Sequence, residues 1–441
     1  MTPDAPMPTW TTVEELFDQE LHARPSAQIL AAIRPIERER DEAREFVARA
    51  VRLMAIAQLE PRHLTPSVGW MLGSMAPALL PGAWGNVVPP FTLEDRHIDI
   101  DRYLREQPWA RLPSSATMLE MGCGFPPQTA VDVAHRFPAW QIVGADPRFD
   151  PYVLHDAQGN YACMDAEGQV RYFHPANPGM ATYMALYKNP SDTFAAFRTL
   201  FEQLVPLLPA DDAGERVAVE HAGARLVRDA IQGFATPNLR FVQAGIGAEM
   251  EPVEIMRIFN VLMYFDADFR RDAERWALNT LKPGGLLLCG GNAAMTTEAR
   301  YTVYQREHDA LVPREFAFSL DNFRPGSMNP WFCLHGDERE TFLLAHVTGI
   351  LRRDVEFSET YDARLDALMA EQRLWVRDTN GALVAPPDQR PASEWLAARL
   401  AVAMQLHAEG MVTRAVRALE RAGLHAWENV VGHIAMDPTS L

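Results

Sequence analysis

The chain has 441 residues, 48% hydrophobic and 22% charged, which is typical of a soluble globular protein with two or three domains. Its formal net charge of −17 would repel a phosphate backbone, so we expect no nucleic-acid partner. The four cysteines form no C-x-x-C pair, which argues against a disulfide framework and a metal site and fits a cytoplasmic protein. No uncharged stretch approaches the length of a membrane span, so we expect no membrane partner.

The chain begins with a region, residues 1–109, that we predict to be helical. Thr12 and Glu15 have the spacing of a capping box at the start of a first helix. The stretch from residue 26 to 59 is rich in Ala, Arg, Glu and Leu and is interrupted at Pro35. This pattern predicts a short helix, a break and a long amphipathic helix.

Apolar strands, glycine-containing turns and helical stretches then alternate, which predicts an α/β domain with a parallel sheet over residues 110–292. Residues 151–215 are too long for one crossover, so we interpret them as an insertion over the ligand face. The insertion contains a predicted hairpin at 161–173 and a helix near 193–208. Residues 293–441 predict a mixed α+β region, with a hairpin at 374–384 and two helices after it.

One motif has the layout of a nucleotide-binding strand, loop and helix. The apolar strand from Thr117 ends at Glu120, and Gly122 and Gly124 follow it, spaced by one residue. Glycine is needed there because the backbone must turn sharply and approach a ligand closely. About 20 residues on, a second strand ends at Asp146, where a carboxylate is well placed to accept ribose hydroxyl hydrogens.

The loop itself discriminates between possible cofactors. Gly124 is followed by Phe125, Pro126 and Pro127, so the third glycine of a dinucleotide loop is absent. An acid at Glu120 also disfavours a pyrophosphate nearby, whereas it favours the cationic amino group of S-adenosylmethionine.

These residues resemble the first motifs of the class I S-adenosylmethionine-dependent methyltransferases. Glu120, Gly122, Gly124 and Asp146 match, and the sequence departs from the family at Pro126. The resemblance implies a Rossmann-like α/β fold and S-adenosylmethionine as the cofactor. It further implies that Gln243, at the end of the third strand, takes the place of an acid that meets the adenine amino group.

Two later segments continue the resemblance in the family's order. The stretch from Val253 to Phe265 is similar to the fourth strand and its loop, and the resemblance implies that Asn260 ends this strand beside the cofactor. The stretch beginning at Leu281 is similar to the family's Pro-Gly-Gly turn and fifth strand.

The resemblance implies methyl transfer to an oxygen or nitrogen atom of a small metabolite. The segment from 301 to 331 is expected to cover this acceptor, and it supplies three candidate catalytic residues, Tyr304, His308 and Arg324. His308 would act as a general base and Arg324 would hold an anionic group of the acceptor. The alternatives are a surface histidine for His308 and a surface ion pair for Arg324.

Two other functions stay open. The stretch from Asn260 to Phe265, with the later Pro-Gly-Gly turn, is also similar to the chemoreceptor glutamate methyltransferases, which modify a protein carboxylate. The prolines after Gly124 and the missing acid near Gly245 would also fit a catalytically inactive scaffold that binds S-adenosylmethionine.

Overall fold

The structure is a computed structural model that describes residues 10–80, 82, 92, 94–107, 109–176, 190–209, 216–293, 298–324, 331–336, 338–379, 381–384 and 391–440. Its contacts divide the chain into two compact units. The terminal unit comprises Met1–Pro77, Arg96–Pro113 and Glu249–Leu441. The central unit comprises Ala78–Asp95 and Ser114–Ala248.

The chain before the first strand is helical, as the sequence predicts. Its helices are α1 (Val13–Glu20), α2 (Ala27–Ile33), α3 (Asp41–Ile56), α4 (Pro66–Trp70), α5 (Ala76–Leu79) and α6 (Ile98–Glu106). The predicted capping box at Thr12 and Glu15 is present at the start of α1. The predicted break at Pro35 is a short 3-10 turn between α2 and α3, because proline has no N–H to donate to an α-helix.

The central unit alternates strands and helices. In chain order they are β1 (Thr117–Met121), α7 (Gln128–Arg136), β2 (Gln141–Asp146), β3 (Tyr152–His155), β4 (Tyr161–Met164), β5 (Val170–His174), α8 (Pro190–Leu204), β6 (Val217–His221), β7 (Ala224–Arg228) and β8 (Leu239–Gln243).

Three of these strands are parallel, in the order β1-β2-β8. Helix α7 connects β1 to β2, which is the strand-helix-strand unit of a parallel sheet. The first two strands are buried along nearly their whole length, as parallel strands are when both faces are covered. The predicted Rossmann-like α/β fold class is confirmed.

The inserted segment forms a second sheet, antiparallel throughout, in the order β5-β4-β3-β7-β6. The predicted hairpin is β4 and β5, and the predicted helix is α8. Gly168 turns the hairpin with a φ of 75°, and a Cβ there would lie 2.5 Å from the ring of Phe201. The sheet continues to Arg228, beyond the predicted end at residue 215, because β3 lies in its middle and pairs with β7.

The remaining strands and helices belong to the terminal unit. They are β9 (Val253–Phe259), α9 (Ala267–Thr280), β10 (Leu281–Asn292), β11 (Ala299–Glu307), β12 (Ala310–Phe318), α10 (Arg339–Arg353), α11 (Val355–Glu371), β13 (Val376–Arg377), β14 (Leu383–Val384), α12 (Ala392–Ala408), α13 (Met411–Arg421), β15 (Ala426–Glu428) and β16 (Ile434–Met436).

In this unit β9 and β10 are parallel, joined by α9, and the other sheet strands are antiparallel, in the order β15-β16-β12-β11-β10-β9. Helices α10 to α13 pack against β12 through a buried core that includes Phe316, Phe318, Leu344 and Tyr361. The predicted hairpin at 374–384 is β13 and β14, although Asn380 of its turn lies outside the described residues.

Candidate functional site

A glycine loop follows β1 in the central unit. Gly122 and Gly124 have φ angles of 74° and 64°, in the left-handed region where a Cβ is strained. The N–H of Gly122 donates a hydrogen bond of 2.7 Å to the carbonyl oxygen of Ala145 on β2. The two glycines therefore turn the chain between β1 and α7 and leave no side chain on the loop at these positions.

Asp146, at the end of β2, fixes this loop. Its Oδ2 accepts a hydrogen bond of 3.0 Å from the N–H of Gly124, and its Oδ1 accepts one of 2.8 Å from the N–H of Arg148. The residue is only 8% exposed. Burial raises the pKa of Asp146, and the two N–H groups oppose that rise. Each oxygen uses one acceptor position for the backbone and keeps another for a ligand.

Glu120 is the second carboxylate of the loop, and it is buried at the end of β1. Burial raises the pKa of the Cys123 thiol, and the charges of Asp146 and Glu120 add to the rise. The thiol is therefore protonated at neutral pH and is a poor nucleophile.

The strand ends bring the predicted cofactor residues of the central unit together. Asp146 pairs in register with Gln243 of β8, and Met121 pairs with Ala145. Since β1, β2 and β8 are parallel, Glu120, Asp146 and Gln243 lie at the same edge of the sheet. Gln243 is exposed, and its Nε2 donates a hydrogen bond of 3.3 Å to the carbonyl oxygen of Pro147.

The residue after the second glycine packs on the inserted sheet. The Phe125 ring meets Tyr161 and Phe234 edge to face, with both pairs of centroids 5.9 Å apart. The Tyr161 hydroxyl donates a hydrogen bond of 3.3 Å to the Phe125 carbonyl oxygen. The hairpin of β4 and β5 therefore supports the glycine loop, which the sequence pattern did not indicate.

Asn260 follows β9 in the terminal unit and is bound to Asn292 at the end of β10. Its Nδ2 donates to Oδ1 of Asn292 at 2.9 Å, and its Oδ1 accepts the Asn292 backbone N–H at 3.0 Å. Asn260 has a φ of 57°, which asparagine tolerates better than most residues. Sequence reasoning missed Asn292, although its place at the end of the next parallel strand was a usable signal.

Arg96 completes this group. Its Nε donates to Oδ1 of Asn292 at 3.2 Å and its Nη2 to the Asn292 carbonyl oxygen at 2.9 Å. Burial lowers the pKa of Arg96 to about 10, so the guanidinium is protonated at neutral pH. Burial raises the pKa of the nearby Tyr264 phenol, and Arg96 opposes that rise. Arg96 lies 196 residues from Asn292, so no local pattern indicated it.

The structure does not bring Tyr304 and His308 to Asn260. Strand β11 runs antiparallel to β10, so Ala299 lies opposite Asn292, whereas Tyr304 lies opposite Leu287. His308 is exposed in the turn after β11, at the far end of these strands. The direction of β11 therefore places both residues away from Asn260 and Asn292, and their catalytic role stays a prediction.

Arg324 is buried and already has a partner. Its Nη2 lies 3.2 Å from Oε1 of Glu298, and Arg399 contacts the same oxygen at 3.2 Å. Both Arg324 and Glu298 are at most 6% exposed in their side chains. Arg324 therefore pairs with a carboxylate, but the pair is buried and is not the surface ion pair that was the alternative to anion binding. A catalytic role for Arg324 stays a prediction.

The described residues contain no group of three or more His, Cys, Asp or Glu side chains that could hold a metal ion. Within the same part of the chain, no helix has the length and apolar character needed to cross a membrane.

No family model and no curated protein matches the sequence. Among solved structures, PKMT2 from Rickettsia typhi is 11% identical with a TM-score of 0.22; the match covers 77% of this chain and 44% of that protein, so the chain spans less than half its length. An O-methyltransferase family 2 protein from Planctomyces limnophilus, in complex with apigenin, is 13% identical with a TM-score of 0.25, over 64% and 70% of the two chains. Coclaurine N-methyltransferase, bound to N-methylheliamine and SAH, is 10% identical with a TM-score of 0.26, over 96% of each chain.

Proposed function

We propose that this chain is an S-adenosylmethionine-dependent methyltransferase that transfers a methyl group to an oxygen or nitrogen atom of a small molecule. The observation that carries the proposal is the carboxylate of Asp146, held by the N–H groups of Gly124 and Arg148 beside a glycine loop. No observation favours a protein carboxylate acceptor or an inactive scaffold.

The residues of the loop fit this cofactor better than a dinucleotide. Asp146 retains acceptor positions for two ribose hydroxyls, and Glu120 carries the charge that an amino group would need. A pyrophosphate would lie near both carboxylates, and the loop offers it no third glycine. The charge of the site therefore supports a cationic cofactor.

When bound, S-adenosylmethionine supplies an electrophilic methyl group that an acceptor nucleophile attacks in line. The chain's own contribution would be alignment and exclusion of water. Asp146 and Glu120 would fix two ends of the ligand, and the aromatic packing around Phe125 would keep the loop in place.

Within the terminal unit, the Asn260 and Asn292 pair is our candidate for binding a polar ligand group. Asn260 Nδ2 has a second hydrogen beyond the one that it donates to Asn292. Arg96 adds a protonated guanidinium, which suits a carboxylate or another polar oxygen.

Calorimetry with S-adenosylhomocysteine tests the cofactor assignment. Asp146→Asn should weaken binding by about 1–3 kcal/mol, because ribose donors lose a charged acceptor. Asp165→Asn is a matched control: Asp165 is also buried and its Oδ1 accepts two backbone N–H groups, of Glu167 and Gln169, but it lies outside the glycine loop. Equal affinities for the wild type and Asp146→Asn, or measurable binding of NADH or FAD, would contradict the proposal.

A further inference from the structure

A separate cavity of about 500 Å³ lies wholly within the terminal unit. Its volume is in the range of small-molecule sites. Three aromatic residues line it, Tyr103, Trp109 and Trp427, together with Glu315 on β12. The cavity shares no residue with the glycine loop or with the Asn260 and Asn292 pair.

Glu315 is the unusual member of this cavity. It is only 2% exposed, and its carboxylate accepts hydrogen bonds from the Tyr103 hydroxyl at 3.0 Å and from Asn429 Nδ2 at 2.8 Å. Both donors are uncharged. Among the described residues, no Lys, Arg or His lies within ion-pair distance of Glu315. A buried carboxylate without a nearby cation is costly.

The other charges of the cavity do not neutralise Glu315. Arg314 forms an ion pair with Glu307, and its Nε and Nη2 donate to Oε1 of Gln305 at 3.2 and 3.1 Å. Glu428 adds a second carboxylate to the lining. The cavity therefore carries an excess of negative charge, which favours a cationic ligand.

The hydrogen-bond acceptors limit which cation fits. Oε1 of Gln305 is occupied by Arg314, and Oδ1 of Asn429 accepts the N–H groups of Val431 and His433 at 3.2 and 3.0 Å. A primary ammonium group has three N–H donors and is strongly hydrated, so three aromatic walls replace little of the water that it loses. An alkylated ammonium group has few N–H donors or none, and it interacts well with aromatic rings.

We propose that this cavity binds a small organic cation with an alkylated ammonium group, with Glu315 as its counter-ion and Tyr103, Trp109 and Trp427 as aromatic walls. The inference rests on the cavity alone and is independent of the proposed methyl transfer.

Calorimetry on the full chain with choline tests this site. Its neutral isostere, 3,3-dimethyl-1-butanol, has the same shape without the charge, and ethanolamine has a primary ammonium group in place of the alkylated one. We expect saturable binding of choline, and binding at least about tenfold weaker for each of the other two. Equal binding of choline and the isostere would overturn the proposal, as would no binding of choline.

Variants assign the binding to the cavity. Glu315→Gln removes the charge and Trp427→Leu removes one aromatic wall, so each should weaken choline binding by about tenfold or more. Trp70→Leu is the matched control, since Trp70 is 37% exposed on α4 and does not line the cavity. If Glu315→Gln does not fold, Trp427→Leu and the isostere comparison still decide. Unchanged choline affinity in a folded Glu315→Gln or Trp427→Leu chain would overturn the proposal.

Discussion

Asp146 in the central unit and Glu315 in the terminal unit are both buried carboxylates that accept two hydrogen bonds from uncharged donors. Burial raises the pKa of each, and the donors oppose that rise. They differ in where the donors come from. The donors of Asp146 are backbone N–H groups 22 and 2 residues away. Those of Glu315 are side chains 212 and 114 residues away.

This difference separates two ways of building a polar site. A carboxylate held by backbone donors needs only a strand, a glycine loop and the next strand, all of which leave a local pattern. A carboxylate held by distant side chains needs the folded unit. The site around Asp146 was therefore visible in the sequence, whereas the cavity around Glu315 was not.

A third buried carboxylate differs from Asp146 and Glu315 because its partner is charged. Its removal should give the largest loss of stability. Asp101 of α6 and Arg257 of β9 form an ion pair with side chains fully buried. Asp101→Ala should lower the free energy of unfolding by about 3–5 kcal/mol, because it removes the buried carboxylate that pairs with the guanidinium. Urea unfolding followed by tryptophan fluorescence measures it. Asp99 lies on the same helix and forms a partly exposed ion pair with Arg102. Asp99→Ala should therefore lower the free energy of unfolding by less than about 1 kcal/mol. Similar losses in both variants would contradict this reasoning.

The carboxyl group of Asp150 should make the stability of the chain depend on pH. Burial raises its pKa from 3.8 to about 6, with a smaller contribution from Asp165 and Asp146 and opposition from Arg148 and Arg171. The folded chain therefore binds this proton more tightly than the unfolded chain. Its stabilising contribution is complete below about pH 4 and is lost as the pH rises through about 6.

Asp150→Asn should remove this pH dependence, which we expect to reach up to about 2 kcal/mol because the carboxyl is partly exposed. The free energy of unfolding of the wild type and of the variant, measured between about pH 4 and 7, gives the difference. The other carboxylates with raised pKa contribute to both curves alike. Parallel curves would show that the Asp150 pKa is not raised.

Gly124→Ala tests the backbone side of the comparison. An alanine at a φ of 64° should cost about 1–2 kcal/mol of stability and also weaken S-adenosylhomocysteine binding. Gly284→Ala is a matched control, since Gly284 has a φ of 80° and a Cβ there would meet nothing within 4 Å. Thermal unfolding and calorimetry on both variants should show similar losses of stability and a loss of affinity only for Gly124→Ala. If both variants lost affinity for S-adenosylhomocysteine, the glycine loop would have no special role in binding it.

Tyr103→Phe tests the side-chain donors of Glu315 and should give the smallest effect, about 1 kcal/mol. It removes a hydrogen bond to the carboxylate, so the pKa of Glu315 should rise further. It also leaves the Trp109 Nε1 hydrogen without the Tyr103 oxygen that it contacts at 3.2 Å. Tyr304→Phe is the comparison, because that buried hydroxyl has only a 3.4 Å contact with Arg339. Equal losses of stability in Tyr103→Phe and Tyr304→Phe would show that the hydrogen bond to Glu315 adds no stability of its own.

Local pattern determined much of the fold. The capping box at Thr12, the break at Pro35, the hairpin at 161–173 and the strand that ends at Asp146 all lie where the sequence predicts them, and Asn260 directly follows its strand. The break and the hairpin turn depend on a missing N–H and a positive φ, and the capping box depends on side chains three residues apart. These requirements do not depend on the rest of the chain, so they can be read from it directly.

The tertiary structure decided which distant residues meet. The reversal of β11 placed His308 away from Asn292, and the ion pair with Glu298 engaged Arg324, although both residues follow the fifth strand closely in sequence. Arg96 reached Asn292 across 196 residues, and Tyr103 reached Glu315 across 212. Strand direction and side-chain partners depend on how whole elements pack, and a sequence pattern with a reach of a few residues does not contain that information.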